Sequence, residues 1–198
     1  MSSNALQALL LCLPICAHAQ GTFIYDQQSV PNDTTGGEGA PIIQANGPVG
    51  QSFTPLLPGV GFVRLFLGDS SRNGIGATIF LNLRSDSMTG PILGSTQPVF
   101  MADGFTGRTN FLFPTEVAVS PGTTYIFELV VQSGDNWSVI DDPQFNYPGG
   151  TAFGQGLPAL PFDLWFREGI IVPEPSSIAL AMSGLACFAV LIRRRRNC

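Results

Sequence analysis

Residues 123–131 read TTYIFELVV. Tyr125, Phe127, Leu129 and Val131 alternate with Thr124, Ile126, Glu128 and Val130. That period of two puts the first four side chains on one face of an extended chain, and a helix would scatter them. The run is rich in aromatic and β-branched residues, which fit a pleated, half-buried surface. It predicts a β-strand whose Glu128 points outward.

The same pattern recurs on either side. Residues 62–67 (FVRLFL), 77–83 (ATIFLNL) and 109–113 (TNFLF) each read as a strand, with Ile79, Leu81 and Leu83 sharing one face of the second. Turn chemistry separates these runs: Arg72-Asn73-Gly74, Met88-Thr89-Gly90-Pro91, Ser120-Pro121-Gly122-Thr123 and Ser133-Gly134-Asp135-Asn136. Gly, Pro, Asn and Asp are the residues that turns require. No comparable helical stripe interrupts residues 21–172. Many short strands must stack or close to bury one face each, so the expected fold is all-β, a jelly-roll-like antiparallel β-sandwich over residues 21–171. An up-and-down barrel is the alternative. Residues 30–50, with Gly36-Gly37 among Asn, Asp, Thr and Glu, read as a long surface loop.

The chain has 198 residues, and all nine of its basic residues are arginines. Four of these are Arg193, Arg194, Arg195 and Arg196, so residues 21–172 hold five Arg against thirteen Asp and Glu, a net charge of −8. A domain of that sign does not seek nucleic acid. Its cysteines, Cys12, Cys16, Cys187 and Cys198, and its one histidine, His18, all lie outside residues 21–172, and the chain has no lysine. The central domain therefore lacks an internal disulfide, the usual zinc ligands, a Ser-His-Asp or Cys-His nucleophile and a lysine Schiff base. Carboxylate or tyrosine catalysis is what remains.

The two ends read as addresses. ALQALLLCLPIC followed by Ala17-His18-Ala19 supplies the apolar run and small residues of a secretory signal peptide over residues 1–20. It lacks Lys or Arg before the apolar run, which fits a start codon placed too late. A lipoprotein reading of LPIC is weaker, because Ile15 is bulky where a small residue is needed. At the other end, residues 176–192 carry no charge and reach about 25 Å as a helix. That is enough for a thin bilayer with arginines at its boundary. The expectation is a transmembrane helix over 176–192, with Arg193, Arg194, Arg195 and Arg196 as its cytoplasmic stop and the domain on the far side of the membrane.

Val172-Pro173-Glu174-Pro175, an apolar stretch and an Arg cluster, in that order over residues 172–198, resemble the PEP-CTERM sorting signal of Gram-negative bacteria. The resemblance implies that exosortase, a membrane-embedded cysteine transpeptidase, recognises Pro173, Glu174 and Pro175, cuts nearby and passes the protein toward the outer surface. Two prolines around one residue hold that segment extended and deny it a helical start, which suits such a role. Their bland reading is a stop before a helix. Gln51-Ser52-Phe53, residues 121–125, 149–153 and 163–167 are similar to a β-sandwich domain often carried by PEP-CTERM proteins, akin in architecture to carbohydrate-binding jelly rolls.

Within the domain, Trp137 and Tyr147, and Trp165 between Asp163 and Arg167, are candidate sugar contacts. A pyranose site needs a flat aromatic face beside hydroxyl-bonding Asp, Asn or Arg. The competing reading makes the tryptophans core and the Asp pairs turns. Calcium is the one metal the composition suits, with Asp69, Asp141 and Asp142 as candidate ligands. No EF-hand spacing is present, so solvated loops are favoured, and the expected cofactor is none. Glu116 and Glu128 are the carboxyls a glycosidase reading would use, but nothing in their context marks them. The expectation is a non-enzymatic exported protein of the cell surface or biofilm matrix, structural or associated with exopolysaccharide. Its expected partners are signal peptidase, exosortase and the membrane. A carbohydrate-binding module is the alternative, ahead of a hydrolase.

Overall fold

The computed structural model describes residues 21–31, 33, 37, 39–141 and 147–173. Among the described residues twelve strands account for the regular structure: β1 (Thr22–Gln28), β2 (Val49–Phe53), β3 (Gly59–Asp69), β4 (Ala77–Ser85), β5 (Ile92–Ser95), β6 (Val99–Met101), β7 (Thr106–Ala118), β8 (Tyr125–Gly134), β9 (Trp137–Val139), β10 (Ala152–Gly154), β11 (Leu157–Pro158) and β12 (Phe166–Val172). They form two antiparallel sheets. One has the order β1-β12-β3-β7, with β9 beside β12 along the same edge of β3. The other has the order β11-β10-β2-β8-β4-β5, with β6 also paired to β4. Most connections cross from one sheet to the other, so the fold is a sandwich rather than a barrel. The expected transmembrane segment, residues 176–192, lies outside the described residues, as does the expected signal peptide.

The four runs singled out in the sequence become β3, β4, β7 and β8, with β8 starting two residues later than its run, at Tyr125. Three of the four expected turns fall between strands, while Ser133 and Gly134 of the fourth still belong to β8 and only Asp135 and Asn136 lie between β8 and β9. β4 and β8 pair from Ala77–Gly134 to Ser85–Tyr125, and their inward rows, Ile79, Leu81 and Leu83 against Phe127 and Leu129, are buried. Val63, Leu65 and Leu67 of β3 and Phe111 and Phe113 of β7 meet them from the other sheet. Alternation thus fills the space between the sheets with one face of each strand. The described residues between Val30 and Pro48 lie outside the named strands and are pinned by bridges from Gly39 to Asp141 and from Ile42 to Ser138.

The outer face of the first sheet has its own cover. Phe62, Arg64 and Phe66 of β3 point away from the core, yet Phe62 is buried, because the Phe23 and Tyr25 rings of β1 stand edge-on to it at 4.7 and 5.5 Å. Across β3, Arg64 pairs with Arg167 of β12. Two guanidinium groups side by side repel, and Asp33 resolves this by giving one carboxylate oxygen to each. Along β7, residues Phe113, Pro114, Thr115 and Glu116 stand opposite Gly61 alone, since Val60 pairs with Val117 and Phe62 with Leu112. This bulge interrupts the pairing of β7 with β3, and Pro114 has no N–H to offer there.

Candidate functional site

Asp163 is nearly fully buried just ahead of β12. Its Oδ1 accepts from Gln51 Nε2 at 2.7 Å and its Oδ2 from the Tyr147 N–H at 2.5 Å. Gln51, on β2, accepts the Leu164 N–H through Oε1 at 2.9 Å and donates from Nε2 to the Ser52 carbonyl at 3.0 Å. Burial pushes the Asp163 carboxyl above its ordinary range, while the Gln51 and Tyr147 donors pull it back. The Tyr147 hydroxyl donates to Gln27 Oε1 at 2.7 Å and accepts from the Thr54 N–H at 3.3 Å. Its ring packs edge-on to Phe166 at 5.2 Å. Burial raises the Tyr147 phenol to about 12. Asp163 and Tyr147 are therefore brought together, as a polar knot inside the sandwich.

The other sugar candidates are placed differently. Trp137 on β9 pairs with Asp69 and stacks on Phe105 at 6.1 Å, and it is 0 % exposed. Trp165 is also 0 % exposed, packed edge-on to Phe66 at 6.2 Å with the Arg108 guanidinium 5.1 Å from its ring. Arg167 lies over the Tyr25 ring at 3.5 Å, bonds Gln28 Oε1 through Nε at 2.9 Å and reaches Asp33 at 2.7 Å. Neither indole presents an open face, which a stacking pyranose requires.

Glu128 and Asp69 are engaged too. Glu128 takes Arg84 Nε at 2.8 Å and Asn82 Nδ2 at 3.2 Å. Glu116 lines a groove of about 450 Å³ between β5 and β7 with Leu93, Phe113 and Val117, and no second carboxyl lines it. A glycosidase sets its two carboxyls about 5–9.5 Å apart across the scissile bond. Asp69 accepts the Ser71 and Arg72 N–H groups on Oδ1, at 2.8 and 3.1 Å, and the Gly104 N–H on Oδ2 at 2.7 Å. These three donors, Gly104 foremost, hold its pKa below the usual value. It organises the β3–β4 and β6–β7 turns. Asp142 lies outside the described residues, and among the described residues no group of three His, Cys, Asp or Glu is placed to hold a metal ion.

The sequence missed the buried acid Glu168, whose only signal is a carboxylate interrupting an apolar strand, Phe166-Arg167-Glu168-Gly169-Ile170-Ile171. It is fully buried, and burial followed by the charge of Asp26 raises it to about 9.

β12 ends at Val172, and Pro173 follows exposed. The PEP-CTERM protein-sorting motif matches residues 172–196, starting on the last residue of that strand. No curated protein and no solved structure matches the chain. Glu174, Pro175, Arg193, Arg194, Arg195 and Arg196 lie outside the described residues. A PEP-CTERM motif implies sorting by exosortase and export, with membrane anchoring before processing.

Proposed function

We propose that the chain is a non-enzymatic surface or matrix protein, in which the sandwich is the displayed cargo and residues 172–196 are the means of its delivery. The observation that carries this reading is the engagement of the candidate chemistry by the fold itself. Asp163, Glu128 and Asp69 each complete an internal hydrogen-bond set, and both tryptophans are sealed in packing. In the precursor the domain stands on the periplasmic side and the Arg block on the cytoplasmic side. Exosortase reads Pro173-Glu174-Pro175 and releases the domain from its anchor.

The test is replacement of those three residues by Ala-Ala-Ala in a host with an exosortase. The variant is expected to be folded and exported but held at the inner membrane at full precursor mass. Equal loss of the C-terminal segment from wild type and variant, read by mass spectrometry, refutes the role of the motif. Topology is read with protease added to the periplasm, which should digest the domain and spare a tag placed after Cys198 in the precursor.

A second reading is an exopolysaccharide-binding module. It is favoured by the aromatic and guanidinium side chains gathered on the outer face of the first sheet, where Tyr25, Arg64 and Arg167 lie together. A glycan array with the processed protein separates the two readings. Retention on a defined glycan supports the module, and hydrolysis of any polysaccharide overturns the non-enzymatic assignment.

A further inference from the structure

The first and last strands of the sandwich meet at Glu168. Glu168 pairs with Val63 across β3 and shares the inward side of β12 with Phe166. Its Oε1 accepts the Gln27 N–H of β1 at 3.1 Å, while its Oε2 is buried with no hydrogen-bond partner among the described residues. β1 lies so close over this point that a Cβ on Gly169 would stand 1.9 Å from the Ile24 carbonyl oxygen. Gln27 also accepts the Tyr147 hydroxyl and donates to Asp26 Oδ1 at 3.2 Å. Asp26 Oδ2 accepts the Leu56 and Leu57 N–H groups at 2.7 and 2.9 Å. One dipeptide therefore fastens β1 to β12, to the segment ahead of β10 and to the β2–β3 loop.

We propose that Glu168 is a protonation latch for β1: as the uncharged acid it lets the first strand close over the last, and on ionisation it drives that strand away. Among the described residues, a carboxylate in this position has one N–H donor and no cation paired with it. Facing it from β1 is Asp26, a like charge, and from the segment ahead of β10 the Tyr147 phenol, itself raised in part by Glu168. β3 presents uncharged Val63 and Leu65 on this side, and Arg64 and Arg167 are held by Asp33 on the other face. Burying an unpaired charge costs more than burying a neutral acid.

The sign follows from where the proton is held. With β1 closed, Glu168 keeps its proton up to about 9, whereas in water a glutamate loses it near 4.5. The closed state thus binds the extra proton between those two values, and closure is strongest below that window and weakens as pH rises through it. The opening constant rises about tenfold per pH unit and levels off above the upper value. This device is internal to the fold and stands or falls separately from the sorting role.

The experiment is hydrogen exchange of the full chain in detergent micelles, read by mass spectrometry on peptides covering β1, β4 and β8 and corrected for intrinsic rates. Between about pH 6 and pH 8, the protection of β1 should fall about a hundredfold, with β1 opening ahead of β4 and β8. Glu168→Gln, which cannot ionise, should keep β1 protection flat over the same range. The proposal is overturned if wild-type β1 protection is flat, if β1 exchanges only together with β4 and β8, or if Glu168→Gln shows the wild-type slope. Should that variant fail to fold, the carboxyl carbon signals of the wild type decide. A Glu168 signal titrating near the ordinary glutamate value overturns the latch, and one still protonated at neutral pH sustains it.

Discussion

Replacing Gln51 by Met keeps much of the side chain's length and removes its amide. Two buried groups then lose their partners: Asp163 Oδ1, bonded at 2.7 Å, and the Leu164 N–H, bonded at 2.9 Å. A hydrogen bond to a charged group contributes about 1.5–3 kcal/mol, and a buried N–H left unsatisfied costs about 1–3 kcal/mol. The expected loss is about 3–5 kcal/mol at neutral pH, a large share of the roughly 5–15 kcal/mol that holds a domain folded. The cost should depend on pH. Burial already raises Asp163, and the Gln51 donor is the first of the two contacts that lower it, so the variant's carboxyl rises further. A raised carboxyl binds its proton more firmly folded than unfolded, so stability falls as pH climbs through the window between the two states. Gln51→Met should therefore lose less stability at about pH 4 than at pH 7. Equilibrium urea unfolding at both values measures this. A loss below about 1 kcal/mol at pH 7, or one that is the same at both, refutes the reasoning.

Asp69→Ala strips an acceptor from three backbone N–H groups and should destabilise by about 2–4 kcal/mol, with Asp69→Asn recovering part of the loss in a thermal melt. Because those donors lower the Asp69 pKa, its contribution is present above the unfolded value and fades as pH falls through the folded one, the opposite sense to Asp163 and Glu168. Leu81→Ala, at a fully buried site between the sheets, should cost about 2–5 kcal/mol in urea unfolding. Trp137→Ala should cost about 3–5 kcal/mol, and a folded Trp137→Phe variant should show an unchanged glycan-array profile. A changed profile would return that ring to a binding role. The domain contains no cysteine, so its melting transition should be the same with and without reductant.

What the sequence made readable was the part of the fold governed by neighbours along the chain. β4 and β8 alternate cleanly because each has one face between the sheets, and period two is the direct imprint of that. β2 (Val-Gly-Gln-Ser-Phe) is buried on both faces at every position, so no alternation survives in it. β12 hides because Glu168 occupies an inward position where an apolar residue is expected. Trp165 carries the same outward parity as Arg167 and would be expected in solvent, but it is sealed beneath other side chains, including Phe66 and Arg108. Gln51 was legible only as part of a short resemblance. Its burial depends on Asp163, 112 residues away, and no local pattern announces a partner at that distance. The sorting tail is the reverse case: its meaning lies in contiguous residues and needs no fold to be read.

β12 runs into the sorting motif without a spacer, and this bears on how the domain would carry a mechanical load applied through that end. A force applied to Val172 along the direction of β12 loads that strand in shear. In an antiparallel sheet the ladder bonds stand perpendicular to the strands. The bonds that hold residues Phe166, Arg167, Glu168 and Gly169 to Leu65, Arg64, Val63 and Phe62 are therefore loaded side by side and must fail together rather than unzip one at a time. A tether entering through a surface loop would lack that protection. A pull applied through Pro173 would therefore meet four paired positions at once.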